Sequence, residues 1–188
     1  MASALDGTTV LDLGKTPAAA LASMFLNDHG ARVLRVVAPG EEPMRDGGFR
    51  IWDRGKAWTR LDLASALPHL GAGTEGANHA AGRLARLIAA ADVLIDDFGP
   101  SSPLQGLLQP DELARLNPRL VHCSITAYGK HGPYRDEPPV DDLVLARMGV
   151  LGGMPGFRPP PVHVVHPLPS VGAALLACNG IAASLLAR

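Results

Sequence analysis

Short apolar segments recur along the first two thirds of the chain and have the length and residue types of β-strands. Residues 8–13 and 32–37 are rich in Val and Leu and are flanked by polar or turn-forming positions. Apolar runs of about four to eight residues, bounded by turn residues, are typical of strands that are buried on both faces. The predicted strands cover residues 8–13, 32–37, 58–63, 93–95 and 120–126.

Longer segments of helical character separate these strands. Residues 18–29 are rich in Ala and Leu, with Pro17 at the start and Gly30 at the end, where helices favour these residues. Residues 77–91 show apolar positions at helical spacing. Further predicted features are a short helix at 111–116, a long irregular loop at 38–56 and an insert of small residues at 71–76.

The alternation of strands and helices predicts the fold class. Strands joined by helices of this length pair in parallel, because a right-handed crossover helix is the usual connection between parallel neighbours. We therefore predict an α/β fold with a Rossmann-like open parallel sheet and helices on both faces. Ligands of such sheets bind beyond the carboxyl ends of the strands. Those ends lead into loops that begin at Gly14, Ala38, Asp96 and Ala127.

The last third of the chain has a different character. Thirteen of the 17 prolines occur from Pro100 onward, and those within 155–169 predict an irregular segment there, followed by a final helix that begins at Ser170. Residues 171–187 are apolar on nearly every side, which predicts a buried helix, since a membrane span usually needs about 20 apolar residues. A helix of this kind needs partners all round, so we expect self-association or a further segment that covers it.

Composition narrows the partners and the location. The 188 residues include 17 Lys and Arg and 18 Asp and Glu, a net charge of −1 without any basic cluster. Nucleic acid is therefore not expected as a partner. A hydrophobic fraction of 47% is enough for a buried core. The N-terminus lacks a secretory pattern and only Cys123 and Cys178 are present, so we expect a reducing, cytoplasmic setting and no membrane partner.

Several catalytic patterns are missing from the sequence. The turn at 14–17, after the first strand, lacks the glycine spacing of nucleotide-binding loops. No serine lies in a G-x-S-x-G turn. His163 and His166 are close together, but no third residue follows at metal-ligand spacing, so no metal site is predicted.

A set of loops after the predicted strands combines cations, aromatic rings and backbone amides. Arg35 lies near the end of the second strand, and the others are at 52–56, 97–100 and 128–134. Such loops suit a ligand with an aromatic ring and phosphates, through stacking and charge-assisted hydrogen bonds. The alternative interpretation, that these residues only form turns, is equally open at this point.

Six segments carry a resemblance to a known family. They lie at residues 5–13, 28–36, 52–56, 91–98, 116–121 and 128–134. In this order they resemble family III CoA-transferases, the group that contains the formyl-CoA and carnitine CoA-transferases and the α-methylacyl-CoA racemases. Any one of these motifs is weak evidence for the family, but six of them in the same order are strong evidence. The similarity continues to the final residues, 180–188.

The resemblance implies a domain organisation and a set of partners. Residues 1–188 would form a single domain, the Rossmann-like large domain of a CoA-transferase, as the N-terminal segment of a longer or paired protein. Members of the family form interlocked dimers, so a homodimer or a second CoA-transferase domain is the expected partner.

Coenzyme A, as a substrate, would lie across the loops at the carboxyl ends of the strands. By position, Arg35, Lys56 and Lys130 match contacts to its phosphates or ribose. Asp97 and Phe98 match part of the wall around its adenine and pantetheine groups. The resemblance therefore identifies these five residues as the CoA-binding set.

The same resemblance finds no catalytic residue in the chain. In the transferases an Asp at the start of the last helix attacks the acyl-CoA thioester, and in the racemases a His and this Asp form the acid/base pair. Here Ser170 takes the Asp position and Val140 takes the His position. Only a carboxylate can accept the acyl group and later carry CoA, and no base is evident for Ser170, which a role as helix N-cap explains. The chain alone is therefore expected to be inactive.

The function implied is CoA transfer between carboxylic acids, with an acyl-CoA and a carboxylic acid as substrates, as part of a larger enzyme. The alternative is a non-catalytic CoA-binding or subunit-interaction domain. A second copy of the fold that has Asp at the helix start would favour the enzyme.

Overall fold

The computed structural model describes residues 3–41, 47–70, 79–100, 102–157 and 159–188, and these contain five short strands. The strands are β1 (Thr9–Asp12), β2 (Arg32–Val37), β3 (Ala57–Arg60), β4 (Val93–Asp96) and β5 (Val121–Ser124). They form one sheet in the order β3-β2-β1-β4-β5, and all four pairings are parallel. The predicted open parallel sheet is confirmed.

Alternate side chains of the central strands enter two separate cores. In β1, Val10 belongs to the first core and Leu11 to the second, and in β4, Ile95 and Leu94 divide in the same way. All four side chains are buried. Because neighbouring side chains of a strand point to opposite faces, both faces of the sheet must be covered.

Helices provide this cover. Those of the described residues are α1 (Pro17–Asp28), α2 (Gly47–Trp52), α3 (Leu63–Ala66), α4 (His79–Ala90), α5 (Pro110–Leu116), α6 (Asp141–Arg147), α7 (Val150–Gly153) and α8 (Leu168–Ala187). A 3₁₀ turn at Leu67–His69 follows α3. Helices α1 and α8 pack on each other and share the first core, whereas α3, α4 and α5 enclose the second.

The predicted strands and long helices are confirmed, with ends that shift by a few residues. The prediction for 38–56 is wrong in part, because α2 crosses this segment. Helices α3, α6 and α7 have no counterpart in the sequence analysis. Each has at most seven residues, too few for a periodicity, and short helices of this kind depend on tertiary contacts. The insert at 71–76 lies outside the described residues.

A buried polar network joins β1, α1 and the residues just before β3. The Lys56 ammonium lies 2.9 Å from the Ala20 carbonyl oxygen, 2.8 Å from Ser23 Oγ and 2.9 Å from Asp53 Oδ1. Asp12 Oδ2 lies 3.6 Å from the same nitrogen. The Lys56 side chain is only 1% exposed, so these oxygen atoms take the place of water around its charge.

Two carboxylates complete the network. Asp12 accepts a 2.6 Å hydrogen bond from Ser23 Oγ, and Asp53 pairs with Arg35 as well as with Lys56. Burial raises the pKa of Asp12 above its usual value, although the charge of Lys56 and the Ser23 hydroxyl act in the opposite direction. Loss of Lys56 would leave the buried Asp12 without its ion-pair partner and Asp53 with Arg35 alone.

Helix α8 is covered on one side only. Ala174 and Ile181 are buried in the core that α8 shares with α1, whereas Leu175, Leu176 and Leu186 are 50%, 74% and 89% exposed. The outer face is therefore exposed within this domain, as expected for an apolar helix that needs a further partner. Its length and mean hydropathy of 1.7 would also suit a membrane span, a test that apolar helices of soluble domains pass as well.

Replacing Lys56 by Met is expected to lower the free energy of unfolding by about 3–5 kcal/mol, because the buried Asp12 would lose its ion-pair partner and Asp53 one of its two cations. Urea unfolding at pH 7 measures the change. The loss should shrink at acid pH, because burial raises the pKa of Asp12 and its carboxyl group can bind a proton there instead of remaining charged. The control is Lys130→Met at an exposed position, which should change the free energy by less than about 0.5 kcal/mol. Equal effects of the two variants would contradict the assignment.

Candidate functional site

The order of the strands creates a crevice at the carboxyl edge of the sheet. The connection from β1 leads to β2 on one side, whereas β4 lies on the other side of β1. The loops after β1 and β4 therefore diverge from two neighbouring strands, which is where open α/β sheets bind ligands.

The Asp97 side chain holds the backbone of the loop after β1 in place. Its Oδ2 accepts hydrogen bonds from the N–H groups of Lys15, at 2.6 Å, and Thr16, at 2.5 Å. Gly14 permits this approach, since a Cβ there would lie 2.2 Å from the Ala19 Cβ and 3.3 Å from Asp97 Oδ2. The protein's own carboxylate thus occupies the N-terminal end of α1, a position where an anionic ligand could otherwise bind.

A cavity of about 360 Å³ lies beside this loop. The loops after β1, β4 and β5 form one wall, and the start of α6 and the first turns of α8 form the other. Its charged lining residues among those described are Asp97, Arg135, Glu137 and Asp141. The remaining lining residues include Thr16, Gly99, Pro100, Thr126, Tyr128, Val140, Val144, Met148, Ser170, Gly172 and Leu176.

Ser170 and Asp141 form a close pair in the cavity wall. Ser170 Oγ lies 3.0 Å from Asp141 Oδ1 and 2.9 Å from Oδ2, and the Ser170 N–H donates a 3.0 Å hydrogen bond to Oδ1. Asp141 is the first residue of α6, and Ser170 is in the first turn of α8. The Ser170 side chain is not the N-cap of α8, because that position is Pro167. Asp141, 29 residues away in sequence, instead accepts the backbone N–H.

Arg35 and Lys56 do not reach this cavity. Their side chains are buried and paired with the carboxylates of Asp53 and Asp12. Neither side chain is exposed at the ligand edge of the sheet, and the sequence does not reveal that two internal carboxylates face them. Their identification as CoA contacts stays a prediction.

The other predicted CoA contacts are divided between the cavity and other parts of the domain. Asp97 lines the cavity, with its carboxylate engaged by the loop after β1. Phe98 is buried in the core shared by α3, α4 and α5, so its ring is part of the domain interior. Lys130 is exposed and is not among the lining residues.

The cysteine and histidine side chains of the described residues show no nucleophilic or metal-binding arrangement. Burial raises the pKa of both thiols, that of Cys178 to about 11, so they remain protonated at neutral pH. His163 pairs with Asp142 across 3.0 Å. Within the described ranges, no group of three or more His, Cys, Asp or Glu residues could hold a metal ion.

Comparison with known proteins identifies the family. The sequence model described as CoA-transferase family III matches residues 5–188. The chain belongs to CoA-transferase family III. The resemblance found in its motifs is thus confirmed.

Relatives in this family match the chain over nearly all of its length. The probable fatty acyl-CoA transferase Rv3272 of Mycobacterium tuberculosis is 32% identical, with 100% of this chain and 48% of that protein covered. The succinyl-CoA–L-malate CoA-transferase beta subunit of Chloroflexus aurantiacus is 34% identical, with 82% of this chain and 38% of that protein covered. This chain spans about half the length of such relatives.

Solved structures support the same conclusion. A crystal structure of Rv3272 superposes with a TM-score of 0.83 at 32% identity and covers 100% of this chain and 52% of its own. A CAIB/BAIF family protein from Brucella suis superposes with a TM-score of 0.84 at 23% identity, over 100% of this chain and 50% of its own. At that identity the second comparison supports the fold alone.

The two positions that the resemblance assigns to the reaction centre lie on one cavity. Val140 precedes α6 and its exposed side chain lines the cavity, as does Ser170 at the start of α8. Asp141, next to Val140 in sequence, is the residue that the sequence analysis missed. The sequence does show an Asp directly after Val140, a position that the resemblance assigns to the reaction centre. Its contact with Ser170, however, depends on the packing of α6 against α8.

Asp97→Ala should cost about 1–3 kcal/mol of stability, because the Lys15 and Thr16 N–H groups would lose their acceptor in a partly buried loop. Chemical denaturation compares it with Asp136→Ala, at an exposed position, where a change within about 0.5 kcal/mol is expected. If Asp97→Ala is no more destabilised than Asp136→Ala, the role of Asp97 in stabilising the loop after β1 is refuted.

Proposed function

We propose that this domain holds an acyl-CoA, with the thioester in the 360 Å³ cavity, and takes part in CoA transfer between carboxylic acids. The observation that carries the proposal is that Ser170 and Val140, the reaction-centre positions of the family, line the same cavity at the carboxyl edge of the sheet. The domain acts as the N-terminal part of a longer or paired protein, in a cytoplasmic setting.

The size and charge of the cavity indicate which part of an acyl-CoA would bind inside it and which part outside. Cavities of about 300–1,000 Å³ accommodate small molecules, so this one suits the acyl and thioester end of acyl-CoA. Its lining is largely apolar, and Arg135 is the cation that lines it among the described residues. Arg135 is suited to the carboxylate of an incoming acid. The nucleotide end lies outside, near the exposed side chains of Lys15 and Lys130.

The relatives support the substrate class. One is a probable fatty acyl-CoA transferase and others are succinyl-CoA–L-malate and acetyl-CoA:oxalate CoA-transferases. Their donors and acceptors all contain a carboxyl group or its CoA thioester. An acyl-CoA and a carboxylic acid are accordingly the proposed substrates here, with coenzyme A carried between them and no metal required.

The chemistry of transfer excludes Ser170 as the carrier. Attack of CoA thiolate on a seryl ester would regenerate serine and the original acyl-CoA, without any enzyme-bound CoA thioester. Exchange therefore needs a carboxylate, either within this domain or from a second one.

Filling the cavity tests where the acyl end binds. Gly172 lines the cavity and Gly180 does not, although both lie on α8 and a Cβ at either meets no atom within 4 Å. Gly172→Leu is expected to weaken acetyl-CoA binding roughly tenfold or more, because the added side chain occupies the cavity. Calorimetry should show little change for Gly180→Leu, with light scattering confirming equal assembly. Equal affinities for both variants would place the acyl end elsewhere.

The outer face of α8 favours a second candidate function, subunit interaction. Leu175 and Leu186 expose apolar side chains on one face of the helix, whereas Leu176 lines the cavity. Contiguous apolar surface of this kind marks interaction sites in soluble proteins. This role is compatible with catalysis, and it is the sole role if acyl-CoA does not bind.

The exposed face is expected to cause self-association that increases with protein concentration. Leu186→Glu should reduce it, since a charge cannot be buried in an apolar contact without a partner. Light scattering across a concentration series measures the effect. Ser184→Glu, at another exposed position of α8, is the control for the effect of the added charge alone. A wild-type monomer at every concentration would refute the interaction surface.

A further inference from the structure

We propose that Asp141 supplies the carboxylate that first accepts the acyl group and then carries CoA. This inference rests on the proposed function and assigns the nucleophile for it. The sequence places a serine at the family's catalytic position, whereas the structure places a second carboxylate one hydrogen-bond length away, in the same cavity wall.

The geometry leaves Asp141 able to attack. The hydrogen bonds that the described residues give its carboxylate come from the Ser170 hydroxyl and the Ser170 N–H. An ionised carboxylate has about four acceptor sites, and the hydroxyl has a single proton, so these two donors leave lone pairs available. The contacts to Ser170 also restrict the orientation of the carboxylate, as a nucleophile requires.

The other carboxylates of the cavity are less suited. Asp97 accepts hydrogen bonds from two amides of the loop after β1, where the carboxylate stabilises the backbone. Glu137 forms an ion pair with Arg147 at 2.6 Å. Asp97 and Glu137 each stabilise their own part of the fold, whereas the Asp141 carboxylate is oriented by Ser170, the residue at the family's catalytic position.

In the first half of the reaction, one oxygen of Asp141 attacks the thioester carbonyl carbon. The carbon–sulfur bond breaks and CoA leaves as the thiolate, which forms a mixed anhydride between Asp141 and the acyl group. The thiolate then attacks the Asp141 carbonyl carbon of this anhydride. The first acid leaves as a carboxylate, and CoA remains bound to Asp141 as a thioester.

In the second half, the carboxylate of the incoming acid attacks this aspartyl thioester and expels the thiolate, which forms a second anhydride. The thiolate attacks the incoming acid's carbonyl carbon, which produces the new acyl-CoA and frees the Asp141 carboxylate. No net proton, electron pair or water is consumed. The Ser170 hydroxyl keeps its proton and acts as a hydrogen-bond donor, so Ser170 is a positioning residue.

The test traps the intermediate in the full-length natural protein that contains this sequence. The protein is incubated with acetyl-CoA or succinyl-CoA and treated with hydroxylamine, which converts an aspartyl anhydride or thioester to a hydroxamate. Peptide mass spectrometry then locates the modified residue. A hydroxamate on Asp141 supports the proposal, and one on any other residue overturns it.

Matched variants separate attack from positioning. Asp141→Asn keeps the shape of the side chain and an acceptor for Ser170, and should reduce CoA exchange by about 10⁴-fold or more. Its affinity for acetyl-CoA should remain within about threefold of wild type, which also shows that the variant is folded. Ser170→Ala should keep the hydroxamate on Asp141 while exchange falls by a smaller factor, about 10- to 100-fold.

The outcomes distinguish this inference from the proposed function. CoA exchange that survives Asp141→Asn overturns the assignment of Asp141 and leaves the proposed function in place. Absence of both acetyl-CoA and succinyl-CoA binding in the wild-type protein overturns the proposed function and this inference together. Loss of the hydroxamate in Asp141→Asn, with binding retained, supports both.

Discussion

The Lys56 ammonium, buried among four oxygen atoms, holds together the segments that build the carboxyl edge of the sheet. It bonds to α1 through Ala20 and Ser23 and to the residues before β3 through Asp53, and it faces Asp12 at the end of β1. Asp12, Ala20 and Ser23 lie more than 30 residues before Lys56, and a buried charge requires all of its oxygen partners at once. The position of α1 relative to β1, and hence of the loop between them, depends on this contact.

The loop after β1 in turn defines one wall of the cavity. Its amides are held by Asp97 from the end of β4, and Gly14 leaves the space for that approach. The result is a crevice whose anion-binding end is occupied by the protein itself, so the open volume lies farther along the edge, toward β5 and α8. The reaction-centre positions of the family lie in this volume.

The pairing of Ser170 with Asp141 changes the interpretation of the missing catalytic residue. From the sequence, Ser170 predicts that the chain alone is inactive, because a serine cannot carry CoA. In the structure, its hydroxyl and amide are both directed at a carboxylate in the cavity wall. Where the resemblance expects an Asp, the cavity wall thus contains Ser170 with the carboxylate of Asp141 beside it.

The sequence by itself determined the fold class and the family. The signals were short continuous apolar runs at β1 and β4, Pro17 and Gly30 at the ends of α1, and the six ordered motifs. Such local or linear signals can be identified without knowledge of tertiary contacts. Tertiary structure alone decided which charged residues are available to a ligand. Arg35 and Lys56 are basic residues beside predicted ligand loops, yet their side chains are buried and paired with Asp12 and Asp53. Asp141, which no motif marked, meets Ser170 because α6 packs against the start of α8. The physical reason is that the burial and pairing of charged side chains depend on contacts between residues far apart in sequence. Hydrophobic periodicity and residue type contain no information about such contacts.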